Sequence, residues 1–241
     1  MQSPPQSVES TFSRAWQLLM ANGIIIVPPL VVGFVVGIVD YYVSPHANGS
    51  EYTATWWSVA SAAILLLLVN IAGYIVLQCY VTGMAGAAWE NGRATLKDGT
   101  VAFERDAGNV FVALIGLFVA LIIAGILAFV TLGISMLLYL YFFIYTFPAA
   151  IVGERHGIAA MGDSFRIASR RVAPTLIITI VAGFFFFLAE VIGTILGFIP
   201  LLGPIVGAVL AQFVLAYIML VVVGEYLALR DAAAPPPPTA V

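Results

Sequence analysis

Six stretches of this chain, at about 23–43, 56–84, 109–130, 133–152, 172–199 and 201–229, are almost continuously apolar and hold at most one charged residue each. A helix needs about 20 mostly apolar residues to cross a hydrocarbon core of about 30 Å. Each run meets that length, and in lipid only a helix satisfies every backbone polar group within its own segment when no barrel pattern is present. The expected fold class is therefore an all-α integral membrane protein with six transmembrane helices. Composition agrees: 62% of residues are hydrophobic and 9% charged, against about 25% charged in an ordinary soluble domain, which excludes a water-soluble fold of this size.

The connections alternate in length. Residues 131–132 and the region of Pro200 are tight turns, whereas 85–108 and 153–171 are longer and polar, so the runs read as three hairpins. All basic residues, Arg14, Arg93, Lys97, Arg105, Arg155, Arg166, Arg170, Arg171 and Arg230, fall on the side that carries the N-terminus, the two long connections and the C-terminus. Basic residues near span ends mark the cytoplasmic side, so both termini are expected in the cytoplasm and the chain in the cell (inner) membrane. The opposite side carries Tyr41, Tyr42, Tyr52, Trp56 and Trp57, rings that favour the headgroup level. Residues 1–22 are polar, and the run after them is too long for a signal-peptide core, so an uncleaved first span is expected. The Pro-rich stretch 231–241, with Pro235 to Pro238 consecutive, has little to bury and is expected to be a disordered cytoplasmic tail.

A short amphipathic segment precedes the first, third and fifth runs. Val8, Phe12, Ala15, Trp16 and Leu19 lie at helical spacing, as do Ile158, Met161, Phe165, Ala168 and Val172; residues 95–107, with Leu96 and Phe103, are a weaker version. Placing Trp16, Phe103 and Phe165 in one column puts Asn22, Asn109 and Arg171 in another. The expectation is a repeat of three units, about 7–84, 95–152 and 157–229, each an interfacial helix followed by a transmembrane hairpin. Arg166, Arg170 and Arg171 form the densest basic cluster and are candidate contacts for anionic lipid headgroups; Asp163 neutralises part of it. The competing reading of the same cluster, and the one its composition favours, is a cytoplasmic helix that simply anchors topology.

The segment from Pro148 through Glu154, Gly157 and Ser164 to Arg166, reading PAAIVGERHGIAAMGDSFR, resembles a recurrent element of bacterial multi-pass proteins related to the glycerophosphodiester phosphodiesterase membrane domain. The later IPLLGPIVG turn, 199–207, is similar to the Pro and Gly hairpin of that group. The resemblance implies a six-span membrane module. About a dozen residues follow the last span, so no catalytic residue of a soluble phosphodiesterase domain carries over.

Ionisable groups inside spans are functional candidates by default. Glu190 lies about 13 Å from the outer end of the fifth run at 1.5 Å per residue, and Gln212 has a similar depth in the sixth. They form either a polar clamp or part of a proton or cation relay. Asn70 and Gln78, two turns apart, either line a polar seam or hold helices together. Asp40, Glu90, Glu154 and Glu225 sit near span ends, where water or Arg satisfies them. The pairs Gly33 and Gly37, Gly193 and Gly197, and Gly203 and Gly207 have GxxxG spacing, and Pro28, Pro29, Pro148 and Pro204 are candidate kinks.

No catalytic signature appears. His156 lacks a partnered Ser or Cys, no phosphate-cradling loop is present, and Cys79 has no second Cys to pair with. No cofactor or metal is expected. The sequon at Asn48 matters only in a secretory host. With a net charge of -3, nothing points to nucleic acid. The expected partners are the lipid bilayer, anionic lipids included, and a membrane-protein partner or second copy. Two functions remain: a non-enzymatic membrane scaffold or complex-associated module that touches lipid through its cytoplasmic helices, and a small-solute or ion transporter or channel with Glu190 in its path. A lipid-modifying enzyme would need Glu90, Glu154, His156 and Glu225 to converge at the inner face.

Overall fold

In a computed structural model of the chain, residues 7–47, 56–196 and 202–233 are described. They form α1 (Val8–Ala21), a single 3-10 turn (Gly23–Ile26), α2 (Val27–Ala47), α3 (Trp56–Asn91), α4 (Leu96–Thr131), α5 (Ile134–Phe143), α6 (Thr146–Ile151), α7 (Gly157–Arg170), α8 (Val172–Leu196) and α9 (Leu202–Ala233), with no strand among the described residues. Five stretches are long and apolar enough to cross a membrane, α5 and α6 together making one of them; a sixth is added if the bent pair α1 and α2 counts as one. The chain is a multi-pass, membrane-type helical protein.

Proline decides where the long helices break. The chain turns by 88° between α1 and α2, and Pro28 and Pro29 sit in the first turn of α2, where a missing N–H is tolerated. Pro174 occupies the first turn of α8; a helix continuous with α7 would drive its ring into the Arg170 carbonyl. No proline lies between residues 95 and 131, and here the expected separate amphipathic segment does not form. Residues 96–131 are one helix of 36 residues, about 54 Å at 1.5 Å per residue. The same continuity corrects the reading of 85–108 as an extended polar connection. Only residues 92–95 are non-helical between α3 and α4, and Thr95 starts α4 with a capping box to Asp98.

Pro148 produces a further break. It cannot donate to Ile144, and α5 and α6 part at Ile144 and Tyr145. Ser164 of α7 repairs the gap: its hydroxyl accepts from the Tyr145 N–H at 3.1 Å and donates to the Phe142 carbonyl at 2.7 Å. At the other end of α5, Leu132 and Gly133 both adopt left-handed φ, 50° and 85°, which folds α5 back on α4.

Helices adjacent in sequence pack on one another: α2 on α3, α4 on α5, α8 on α9. The core is not spread evenly along them. It gathers at the end that carries α1, α7 and the 92–95 and 152–156 turns, called the charged end below. There Met84, Ala85 and Ala88 of α3, Ala149 and Ala150 of α6, and Leu220 and Val221 of α9 are fully buried with Leu19 and Ile25. Toward the opposite end, side chains face outward: Phe129, Val130 and Leu132 are 90%, 83% and 93% exposed. An apolar surface of this extent would associate in water, so it demands lipid. Of the GxxxG glycines, Gly33 faces Gln212 and Gly37 faces open space. Gly197, the side chain of Asp40, the Asn48 sequon and 234–241 lie outside the described residues.

Candidate functional site: a charged cleft

The intramembrane candidates do not meet. Glu190 is exposed on the flank of α8 and borders an open pocket of about 580 Å³ with Phe186, Phe187, Thr194 and Ala211. Gln212 points elsewhere, its amide nitrogen 3.2 Å from where a Cβ on Gly33 would stand, and its Oε1 has no hydrogen-bond partner. Asn70 is exposed and donates to the Leu66 carbonyl of its own helix at 2.8 Å, whereas Gln78 is 2% exposed with Oε1 unpartnered. One points out and the other in, so these two do not line a common seam.

Of the basic cluster, Arg166 pairs with Asp163 at 2.7 Å, the pairing foreseen from their spacing, and Arg155 joins the same carboxylate at 2.8 Å. Arg170 and Arg171 are exposed at the end of α7. Arg171 lies within electrostatic range of Glu225.

What the fold does assemble is the charged end, where α3, α6 and α9 finish. Small residues let these ends approach. A Cβ on Gly224 would collide with the Trp89 ring, one on Gly153 with the Tyr226 hydroxyl, and one on Gly86 would press on Val152. Trp89 Nε1 donates to the Leu220 carbonyl at 2.8 Å, and Arg14 of α1 stacks over the same ring at 4.8 Å. Three Glu residues follow Trp89, Gly153 and Gly224 directly in sequence.

Two of those carboxylates enter a common cleft of about 620 Å³ with a floor of Gly83, Gly86 and Ala102. Its charged rim consists of Glu90, Asp98 and Glu154 against Lys97, Arg105 and Arg230, with Asn91 beside them. Arg105 is the organising residue. Its guanidinium donates to Asp106 at 2.9 Å, to Glu154 at 2.7 Å and to the Ile151 carbonyl at 2.8 Å, fastening α4 to the end of α6. Asp106 is 2% exposed, so this contact compensates a buried charge. Glu154 holds a left-handed φ of 53°, uncommon for a residue with a Cβ, while Arg230 reaches Glu90 at 3.9 Å.

Glu225 stays out of the cleft. It is 4% exposed and accepts from the Thr11 hydroxyl at 3.4 Å, which docks α1 on α9 with Tyr217 donating to the Phe12 carbonyl at 3.3 Å. His156 faces Asn109 at 3.3 Å. The convergence of Glu90, Glu154, His156 and Glu225 required for lipid chemistry is thus half met: Glu90 and Glu154 share the cleft, each beside an Arg, and the other two are engaged elsewhere. The cleft could have been suspected from sequence through the recurrence of Glu90, Glu154 and Glu225 after each second run. Arg105 as its organiser had no such signal.

Compared with known families, curated proteins and solved structures, the chain matches none.

Proposed function

We propose that this protein is a non-enzymatic membrane scaffold or complex-associated module, spanning the cell (inner) membrane six times as three hairpins with both termini in the cytoplasm. Its charged end then lies at the inner headgroup level, where Arg166, Arg170 and Arg171 contact anionic lipid. The likeness to the glycerophosphodiester phosphodiesterase membrane domain and its six-span relatives belongs to this same proposal.

The observation that carries the reading is the placement of Glu190. The residue stands on the exposed flank of α8, beside an open pocket whose other lining residues are apolar or small, Phe186, Phe187, Ala189, Gly193, Thr194 and Ala211. A relay would need its carboxylate inside, next to a second polar group. Replacing Glu190 by Gln tests this: a scaffold retains folding and partner association. Solute flux in vesicles that is abolished by this substitution favours the transporter instead. Co-purification from mild detergent identifies the associated partner.

The three-unit repeat is supported by equivalent packing. Ala15, Ala102 and Ser164, one residue before the aromatic column, are all buried, and so are Leu19, Asp106 and Ala168, three residues after it. Asn22 bonds the turn after α3, donating to the Gly92 carbonyl at 3.2 Å and accepting from the Ala94 N–H at 2.8 Å. Asn109 faces His156 in the turn after α6. Asn22 and Asn109 thus each address the exit of their own hairpin, which supports the repeat in its first two units.

A further inference from the structure

We propose that the cleft between α3, α4, α6 and α9 binds a phosphodiester bearing a primary ammonium, the headgroup chemistry of an ethanolamine phospholipid. This rests on the reading that the charged end lies at headgroup level. The rim carries three cationic and three anionic side chains, so its formal charges cancel and a simple anion or cation gains from one set what it loses to the other. A dipolar group with both charges gains from each. Asp98 is occupied by its capping contacts with Thr95 at 2.8 Å, and Arg105 by its three partners. With Arg230 turned toward Glu90 at 3.9 Å, Lys97, exposed on the first turn of α4, meets the phosphate, and Glu90 and Glu154 meet the ammonium.

Glu154 uses Oε1 for Arg105 and is 66% exposed, and Glu90 is 53% exposed, so both present accepting oxygens to a donor entering from the rim. A primary ammonium offers three N–H donors to such oxygens, whereas a trimethylammonium offers none. The same chemistry is available from a soluble headgroup, and the experiment separates the two sources.

The test uses the full chain in mild detergent, with lipid retention measured by native mass spectrometry. Phosphatidylethanolamine, phosphatidylcholine and phosphatidylglycerol of identical acyl chains are compared, with soluble glycerophosphoethanolamine as competitor. Ethanolamine lipid should be retained over both others, and the soluble compound should compete only in large excess. The paired substitution E90Q and E154Q should reduce ethanolamine lipid to the level of choline lipid. K97Q should weaken ethanolamine and choline lipids alike by about five-fold, the equivalent of one exposed charged contact. All three positions are exposed; E154Q weakens one Arg105 contact, so a single cooperative melting transition, rather than an unchanged midpoint, verifies that the variants fold. Equal retention of ethanolamine and choline lipids by the unaltered chain, or a preference that survives the paired substitution, would overturn the proposal. A soluble compound that binds as tightly as the lipid would overturn the lipid as its source. Because retention is read without any flux, failure here leaves the scaffold reading standing, and flux through Glu190 leaves the cleft to be judged by its own result.

Discussion

The Trp89 indole fills the space that a side chain on Gly224 would occupy, and from that notch its N–H reaches the Leu220 carbonyl one turn away at 2.8 Å. This contact stitches α3 to α9. Substituting Gly224 by Ala should therefore lower stability by about 1–3 kcal/mol through overpacking. Pairing it with Trp89→Ala should cost less than the sum of the two single changes, because the clash disappears with the ring. Melting of the detergent-solubilised variants measures both.

Asn22 is 6% exposed and is the partner of the buried Ala94 N–H. Asn22→Ala should cost about 1–3 kcal/mol, the penalty for leaving a buried donor unsatisfied. Asn22→Asp keeps the acceptor but loses donation to Leu18 and Gly92 and sets a buried carboxylate against both carbonyls, so it should destabilise at least as much as Asn22→Ala. Hydrogen exchange should rise first at residues 92–95.

Ser164 closes the break that Pro148 opens. Ser164→Ala removes the acceptor for Tyr145 N–H and the donor to Phe142, and should destabilise the α5 to α6 junction by about 1–3 kcal/mol. Ser164→Thr retains the hydroxyl but adds a methyl at a fully buried position, so it should also destabilise the junction while preserving protection of the Tyr145 amide.

Arg105 compensates Asp106. Arg105→Ala should destabilise by about 1.5–3 kcal/mol, the range for hydrogen bonds to a charged group. Arg105→Lys should recover only part of this, since an ammonium cannot reproduce the three-directional fork. Arg105→Ala combined with Asp106→Asn should be milder than Arg105→Ala alone.

The apolar runs were readable because lipid imposes one rule on every residue of a span. The amphipathic faces of α1 and α7 were readable because Phe12 and Ala15, or Met161 and Ala168, recur at helical spacing. The unbroken course of α4 is not legible in the sequence: Leu96 and Phe103 at helical spacing read as a separate surface helix, yet an amphipathic pattern does not end a helix when no proline or capping residue intervenes. Glu190 and Gln212 have matching depths but different azimuths, and depth alone does not place two side chains in contact. The Trp89 and Gly224 contact joins residues far apart in sequence with no periodic signature, so only the fold reveals it.

Everything rests on a lipid-embedded chain whose charged end faces one side. With Cys79 replaced by Ala, single cysteines at Arg93, Arg166 and Leu132 can be labelled in intact cells by a membrane-impermeant maleimide. The expected result is labelling of Leu132→Cys only, with Arg93→Cys and Arg166→Cys reacting after the membrane is opened. Labelling of Arg93→Cys or Arg166→Cys from outside, or a purified chain that stays soluble without detergent, would contradict the account.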